Sequence, residues 1–166
     1  MIGETTRYLG IAGFALGLML QGCGTAPHQP PSPQTIAVQP QPSLGSEIVL
    51  RAIALVGTPY RWGGNDPSGF DCSGLVHFVH NELGIDVPRT AEEQYRAARR
   101  VDIDDLEPGD VLFFKTSGKR VSHVGIYAGA GRFVHAPQSG RLIELRDLND
   151  DYYRPRLAGA GRFFGG

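Results

Sequence analysis

The chain is poor in cysteine and tryptophan, with two Cys and one Trp among 166 residues. Two cysteines permit at most one disulfide, and the sequence around Cys23 and around Cys72 indicates a separate role for each, so we do not expect a fold held by disulfides. Net charge is also small. Sixteen basic residues against 17 acidic residues give a formal charge of -1, which leaves no charge-driven case for nucleic-acid binding.

Long hydrophobic runs are absent as well. Residues 9–20 form an apolar stretch of about a dozen residues, the length of a signal-peptide core and too short to span a bilayer. The next motif, Leu20-Gln21-Gly22-Cys23, resembles the lipobox of bacterial lipoproteins, in which the Cys is lipidated and becomes the new N-terminus. Gly24 follows where Asp would retain such a protein at the inner membrane, so the resemblance implies the periplasmic face of a Gram-negative outer membrane. An ordinary secretory signal cleaved elsewhere is the alternative.

The composition divides the chain into three parts. Residues 1–22 are predicted to be the signal peptide. Residues 23–43 comprise the lipidated Cys and a tether rich in Pro, Gln and Ser, which is typical of a semi-extended linker. Residues 44–166 are predicted to be one domain, since about 120 residues can bury an adequate core without disulfides. We find no internal repeat.

Helical patterns precede strand patterns along this domain, which predicts an α+β fold with helices packed on an antiparallel sheet of about five or six strands. A loop rich in Gly and Pro, predicted to lack regular structure, separates the first two helices. An acidic stretch before the strands is predicted to be a solvated turn. The predicted helices are 47–56 with Ser46 as N-cap, 72–83 with Asp71 as N-cap, and 90–99 with a capping box at Thr90; the loop is 58–70 and the turn 102–110; the strands are 111–114, 121–127, 131–136 and 141–145, with a closing segment at 152–153 or 163–164.

Cys72 falls in the first turn of the second helix, where unpaired N–H groups and the helix dipole favour a thiolate. This position makes it a candidate nucleophile, and a small buried core residue is the alternative. The preceding loop contains Tyr60 and Trp62 and is predicted to line the site, although the expectation for Trp62 alone is packing in the core. His77 and His80, on the same helix, are expected on its polar face.

Two histidines follow on neighbouring strands. If residues 128–130 form a three-residue hairpin loop, His123 faces His135 and the two imidazoles share one face, with Cβ atoms about 5 Å apart. A change of register by one residue would place them on opposite faces.

These residues together can perform acyl transfer if the face that carries the histidines packs on the start of the Cys72 helix. His123 would take the thiol proton and later protonate a leaving amine, and His135 would fix the orientation of the first imidazole. The Cys72 amide and the Tyr60 hydroxyl would stabilise the oxyanion. A zinc site formed by Cys72, His123 and His135 is an alternative, but no CxxC or HExxH spacing supports it, and we expect neither a metal nor another cofactor.

Five segments resemble, in their order, the NlpC-type cysteine peptidases of bacterial cell walls, a papain-like family. They are Tyr60-Arg61-Trp62-Gly63-Gly64, Asp71-Cys72-Ser73-Gly74, the stretch 106–114, His123-Val124-Gly125-Ile126-Tyr127 and His135-Ala136-Pro137.

The resemblance implies a papain-like fold, Cys72 as nucleophile, His123 as base, His135 as third polar residue and Tyr60 beside the oxyanion. It also implies that Asp71 and Ser73 help to hold a substrate amine, although Asp71 is also interpretable as an N-cap alone. Arg89 is a further cleft candidate, with a structural role as the alternative.

The family cleaves peptidoglycan stem peptides, and the short lipid-anchored form is similar to the murein endopeptidase lipoproteins of Gram-negative bacteria. The resemblance therefore implies a monomeric endopeptidase, anchored to the membrane by lipid. It would cut D-alanyl–diaminopimelate or D-isoglutamyl–diaminopimelate bonds. The alternative is a scaffold lipoprotein that binds peptidoglycan without catalysis.

Overall fold

The computed structural model describes residues 42–165. The predicted signal peptide, Cys23 and all of the predicted tether except residues 42–43 lie outside the described residues. None of the helices within 42–165 is long and apolar enough to cross a membrane. The elements in chain order are α1 (Leu44–Ala54), β1 (Asn65–Asp66), β2 (Gly69–Phe70), α2 (Cys72–Asn81), α3 (Ala91–Ala97), β3 (Arg99–Val101), β4 (Val111–Phe114), β5 (His123–Gly129), β6 (Arg132–His135), β7 (Glu144–Asp147) and β8 (Leu157–Arg162), with 3-10 helices at Ile103–Asp105 and Arg154–Arg156.

Six of these strands form one antiparallel sheet in the order β3-β8-β4-β5-β6-β7. This confirms the α+β class and the antiparallel sheet. The last strand, β8, lies between the two aromatic segments proposed for it from the sequence, and it is inserted next to β4. The loop predicted to lack regular structure contains a short hairpin, β1–β2, whose two strands have two residues each.

Side-chain caps begin each of the three α-helices. Asp71 caps α2 by accepting a hydrogen bond from the Gly74 amide, and Thr90 and Glu93 form the predicted capping box of α3. The first helix starts earlier than predicted because Ser43, rather than Ser46, caps it. The third helix is shorter than predicted: Ala98 is extended, and the residues that follow join the sheet as β3.

Alternate residues of the central strands face two different cores. The first core packs α1 and α2 against one face of the sheet and includes Leu75, Val76, Val124 and Ile126. The second core lies on the other face and includes Leu112, Phe114, Phe133, Leu148 and Tyr153. The sheet is therefore covered on both sides, which fixes the direction of each side chain along β4, β5 and β6.

Two polar residues are buried against the sequence expectation. Asp110, at the end of the stretch predicted to be a solvated turn, is fully buried and accepts charge-assisted hydrogen bonds from Arg162, at 2.6 Å from Nε and 2.8 Å from Nη2. His80 is also fully buried rather than on a polar face; its Nδ1 contacts the Val76 carbonyl, and its ring packs edge-on against Phe163. His77 is partly buried, with Nδ1 2.6 Å from the Val87 carbonyl.

Candidate active site

The two histidines of the hairpin are in direct contact. His123 Nε2 lies 2.9 Å from His135 Nδ1, the rings are nearly perpendicular, and both side chains are buried. The prediction that the imidazoles share one face is therefore confirmed, but the predicted register is wrong. Tyr127 pairs with Phe133 and Ile126 with Val134, so each residue of β5 faces a residue two positions further along β6 than expected.

A β-bulge explains this difference. Gly129 pairs with Arg132, so the loop is the two-residue turn Ala130-Gly131, and Ala128 is an extra residue on β5. A shift of two residues preserves the face of every side chain, whereas a shift of one would have reversed it. The imidazoles therefore still meet, as diagonal rather than directly opposed neighbours.

Aromatic rings surround the histidine pair on the second face of the sheet. Phe114 packs against His123, Phe133 packs against His135, and the Tyr153 ring contacts both imidazoles. This face does not pack on α2, contrary to the sequence expectation. Burial, with His135 adjacent, lowers the pKa of His123 to about 3, and burial with the charges of Arg146 and Arg141 lowers the pKa of His135 to about 3. Both rings are therefore neutral near pH 7.

Cys72 is the first residue of α2 and is partly buried. Backbone N–H groups of Val124, Ser73 and Cys72 itself interact with the sulfur, and Val124 directly follows His123. Burial, assisted by the charge of Asp71, raises the pKa of the Cys72 thiol to about 11. The thiolate expected from the helix start is therefore not the resting form, because the loss of hydration outweighs the favourable backbone groups.

A cleft with a volume of about 540 Å³ brings the thiol and the base together. Cys72 and His123, the first residue of β5, both line it, so they share this cleft rather than an interface between α2 and the face of the sheet. Tyr60 lines the same cleft. Burial, and to a smaller extent the nearby Cys72 and Asp71, raises the pKa of its hydroxyl, which therefore remains a donor at neutral pH. Trp62 also lines the cleft and is 86% exposed, which contradicts its expected core packing.

Asp71, Ser73 and Arg89 form one connected polar wall of this cleft. The Arg89 guanidinium donates to both carboxylate oxygens of Asp71 at 2.9 and 2.7 Å, and also to Ser73 Oγ and the Gly64 carbonyl. The same carboxylate accepts from the amides of Gly63 and Gly74 and from Ser73 Oγ. With five donors on a group that offers about four lone-pair sites, Asp71 joins the loop, the helix and Arg89 in one unit.

Zinc binding requires three ligand atoms that converge on one point. Within residues 42–165 no group of three or more His, Cys, Asp or Glu side chains is placed to hold a metal ion. His123 Nε2 and His135 Nδ1 are directed at each other at hydrogen-bond distance, which is the arrangement of a donor–acceptor pair and disfavours the zinc alternative.

Tyr153 and Glu144 were not singled out from the sequence. Tyr153 Oη lies 3.5 Å from His135 Nδ1, and Glu144 Oε1 lies 3.6 Å from His135 Nε2. Tyr153 was assigned only to a closing segment. Glu144 falls within the predicted strand 141–145, but the sequence does not predict which residue of the preceding strand it faces. Only the observed pairing of β6 with β7 places it opposite His135.

A thiol at a helix start that shares a cleft with a histidine, whose second ring nitrogen contacts another polar side chain, is typical of papain-like cysteine peptidases. The comparison of the sequence with known families agrees with this class: residues 57–162 match the NlpC/P60 family, and the chain belongs to that family.

Proteins similar to this chain include two bacterial hydrolases. Murein DD-endopeptidase MepH of Escherichia coli (strain K12) is 44% identical over 112 residues, which cover 64% of this chain and 41% of that protein. Gamma-DL-glutamyl hydrolase of Bacillus subtilis (strain 168) is 44% identical over 119 residues, covering 70% of this chain and 29% of that protein.

The fold is also similar to that of a solved structure. The crystal structure of an NlpC/P60 family protein from Bacillus cereus ATCC 10987 has a TM-score of 0.71 and 34% identity, and covers 76% of this chain and 42% of that chain. This chain therefore spans less than half the length of each of these three proteins.

Proposed function

We propose that this chain is a cysteine endopeptidase that hydrolyses peptide bonds in peptidoglycan. The observation that carries the proposal is that Cys72 and His123 line one cleft while His135 contacts the far nitrogen of His123. The family membership and the name of the murein endopeptidase relative support the substrate class.

The resting pair in this mechanism is a neutral thiol and a neutral imidazole, as the pKa directions require. His123 Nε2 is occupied by His135, so Nδ1 is the nitrogen that takes the thiol proton as the sulfur attacks the amide carbonyl. The Cys72 amide and the Tyr60 hydroxyl donate to the developing oxyanion. His123 then protonates the leaving amine, and a water molecule, deprotonated by the same imidazole, hydrolyses the thioester.

The two curated relatives described above are named for two different bonds, one for a DD-endopeptidase and one for a gamma-DL-glutamyl hydrolase. For this chain we propose cleavage of one of the two stem-peptide bonds that the family resemblance implies, the D-alanyl–diaminopimelate or the D-isoglutamyl–diaminopimelate bond. We propose that the polar wall of Asp71, Ser73 and Arg89 holds the stem peptide on one side of the sulfur.

The test is incubation of the purified full chain, in detergent, with one defined cross-linked muropeptide, followed by mass spectrometry of the products. We expect the wild type to release one pair of fragments and Cys72→Ser and His123→Ala to release none. His77→Gln is the matched control, because His77 is on the same helix but does not line the cleft; it should cleave at the wild-type rate.

Cleavage by Cys72→Ser at the wild-type rate would contradict the mechanism. Tight binding of the muropeptide by the wild type without any turnover would instead support the alternative function, a scaffold that binds peptidoglycan without catalysis.

We also propose that the chain is anchored through lipid on Cys23 and faces the periplasm from the outer membrane, as a monomer. The motif at residues 20–23 and the Gly at position 24 support the lipid anchor and the outer-membrane location. Several acyl chains at one site give stable anchoring. Cells grown with labelled palmitate should incorporate the label into the wild type, and Cys23→Ala should lose both the label and outer-membrane fractionation.

A further inference from the structure

Glu144 lies directly opposite His135 in the sheet. The two residues are paired in the register of β6 and β7, and Glu144 Oε1 lies 3.6 Å from His135 Nε2. This distance is within ion-pair range but longer than a hydrogen bond. His135 Nε2 is buried and has no hydrogen-bond partner among residues 42–165. The pairing of β6 with β7 therefore makes the Glu144 carboxylate the acceptor that faces this nitrogen.

Arginine side chains hold this carboxylate in position. Arg141 contacts Glu144 Oε2 at 3.0 Å, and Arg146 lies 3.8 Å from Oε1. The acidic side chain is therefore braced from two sides while one oxygen faces the imidazole. The titratable or charged groups around His135 are His123, Arg141, Glu144, Arg146, Asp150 and Tyr153.

The contact with His123 permits two proton arrangements. In the first, His123 Nε2–H donates to His135 Nδ1, and the second imidazole carries its own proton on Nε2. In the second, His135 Nδ1–H donates to His123 Nε2, and the Nε2 lone pair of His135 faces the carboxylate. A lone pair directed at an acceptor oxygen is unfavourable in a buried site, so Glu144 selects the first arrangement.

Only the first arrangement leaves His123 Nδ1 unprotonated and able to accept the thiol proton. We propose that Glu144 is a positioning residue that holds His135 as acceptor and thereby keeps His123 in the basic tautomer. The inference rests on the proposed Cys72–His123–His135 mechanism and extends it by a fourth group, in the way that carboxylates orient histidine ligands elsewhere.

The test uses the full chain and has a readout that needs no substrate. Nitrogen-15 NMR at pH 7, where both rings are neutral, reports which nitrogen of each imidazole carries the proton. We expect His135 to be protonated on Nε2 in the wild type and to populate both tautomers in Glu144→Gln, because a Gln amide both donates and accepts. Asp147→Asn is the matched control, since it removes one negative charge from the same strand at a position paired with Arg132.

With a cleavable muropeptide, Glu144→Gln should lower kcat about tenfold, as loss of an orienting carboxylate does at histidine sites, while KM changes less than about twofold. Asp147→Asn should leave both constants and both tautomers unchanged. Protonation of wild-type His135 on Nδ1, or an unchanged tautomer in Glu144→Gln, would overturn the proposal. Because the tautomer is read without substrate, failure of the enzymatic proposal would show separately, as absence of cleavage by the wild type.

Discussion

At the scale of single residues, Trp62 is a large aromatic side chain that is exposed to solvent rather than buried. It is 86% exposed, although an indole is among the residues that gain most from burial. It lies in the loop before Cys72 and lines the cleft that contains the thiol. A large exposed aromatic beside a cleft is typical of a surface that contacts a ligand.

We therefore expect Trp62→Ala to lower kcat/KM for a muropeptide by about tenfold, the cost of roughly 1.4 kcal/mol of lost contact. The free energy of unfolding should change by less than about 0.5 kcal/mol, as for other exposed positions. Steady-state kinetics and urea titration measure the two quantities. Leu50→Ala, an exposed apolar position on α1 outside the cleft, is the control and should change neither; equal kinetics for both variants would exclude a substrate contact at Trp62.

The sequence was sufficient to place Cys72 at a capped helix start because the capping signal is local. Its protonation state was not predictable in the same way. The helix start favours a thiolate, but the burial that raises the pKa of the thiol to about 11 comes from tertiary packing. The predictions that His80 and Asp110 are exposed were wrong for the same reason. Their partners, Phe163 and Arg162, lie about 80 and 50 residues further along the chain and are brought near only by β8.

At the scale of elements, the β5–β6 hairpin decides the geometry of the histidine pair. Its turn consists of Ala130 and Gly131, both with positive φ, 51° and 70°, as in type I′ turns. Gly suits this conformation, whereas Ala is strained there because its Cβ is crowded by the backbone. The bulge at Ala128 then restores the face that the histidines share.

Ala130→Asn should stabilise the domain by about 0.5–1 kcal/mol, since Asn adopts positive φ more readily and Asn-Gly is the preferred type I′ pair. Gly131→Ala is the opposing variant. No atom lies within 4 Å of the added Cβ, so its cost of about 1 kcal/mol would be conformational alone. Urea unfolding measures both, and stabilisation by Gly131→Ala would contradict this account of the turn.

The order of the elements and the antiparallel sheet followed from hydrophobic periodicity, but the register did not. The sequence of the hairpin permits a three-residue loop or a two-residue loop with a bulge, and the observed bulged form shifts the pairing of β5 with β6 by two residues. A strand that begins at Glu144 and pairs with His135 is defined by packing on β6, not by a local signal at 141–147.

At the scale of the whole molecule, three of the histidines within residues 42–165 are buried in a neutral form. Burial lowers the pKa of His80 to about 4, and the pKa values of His123 and His135 are each about 3. In the unfolded chain each would titrate near the ordinary value of about 6.5. Between these values the unfolded state binds protons that the folded state does not, so the free energy of unfolding must fall as the pH decreases below 6.5.

We expect the free energy of unfolding to be nearly constant from pH 7 to 8 and to decrease from pH 6 to 5, by up to about 1.4 kcal/mol per pH unit for each buried histidine. Between pH 6 and 5 the change reports mainly the histidines. Carboxylates with lowered pKa values, such as Asp71, lose their contribution to the free energy of unfolding only below about pH 4. Urea titrations at half-unit intervals measure the slope. His80→Gln removes one titrating ring outside the cleft and should reduce that slope by about a third, the share of one histidine in three equal terms; an unchanged slope would show that the folded protein accepts a proton on His80 as readily as the unfolded chain does.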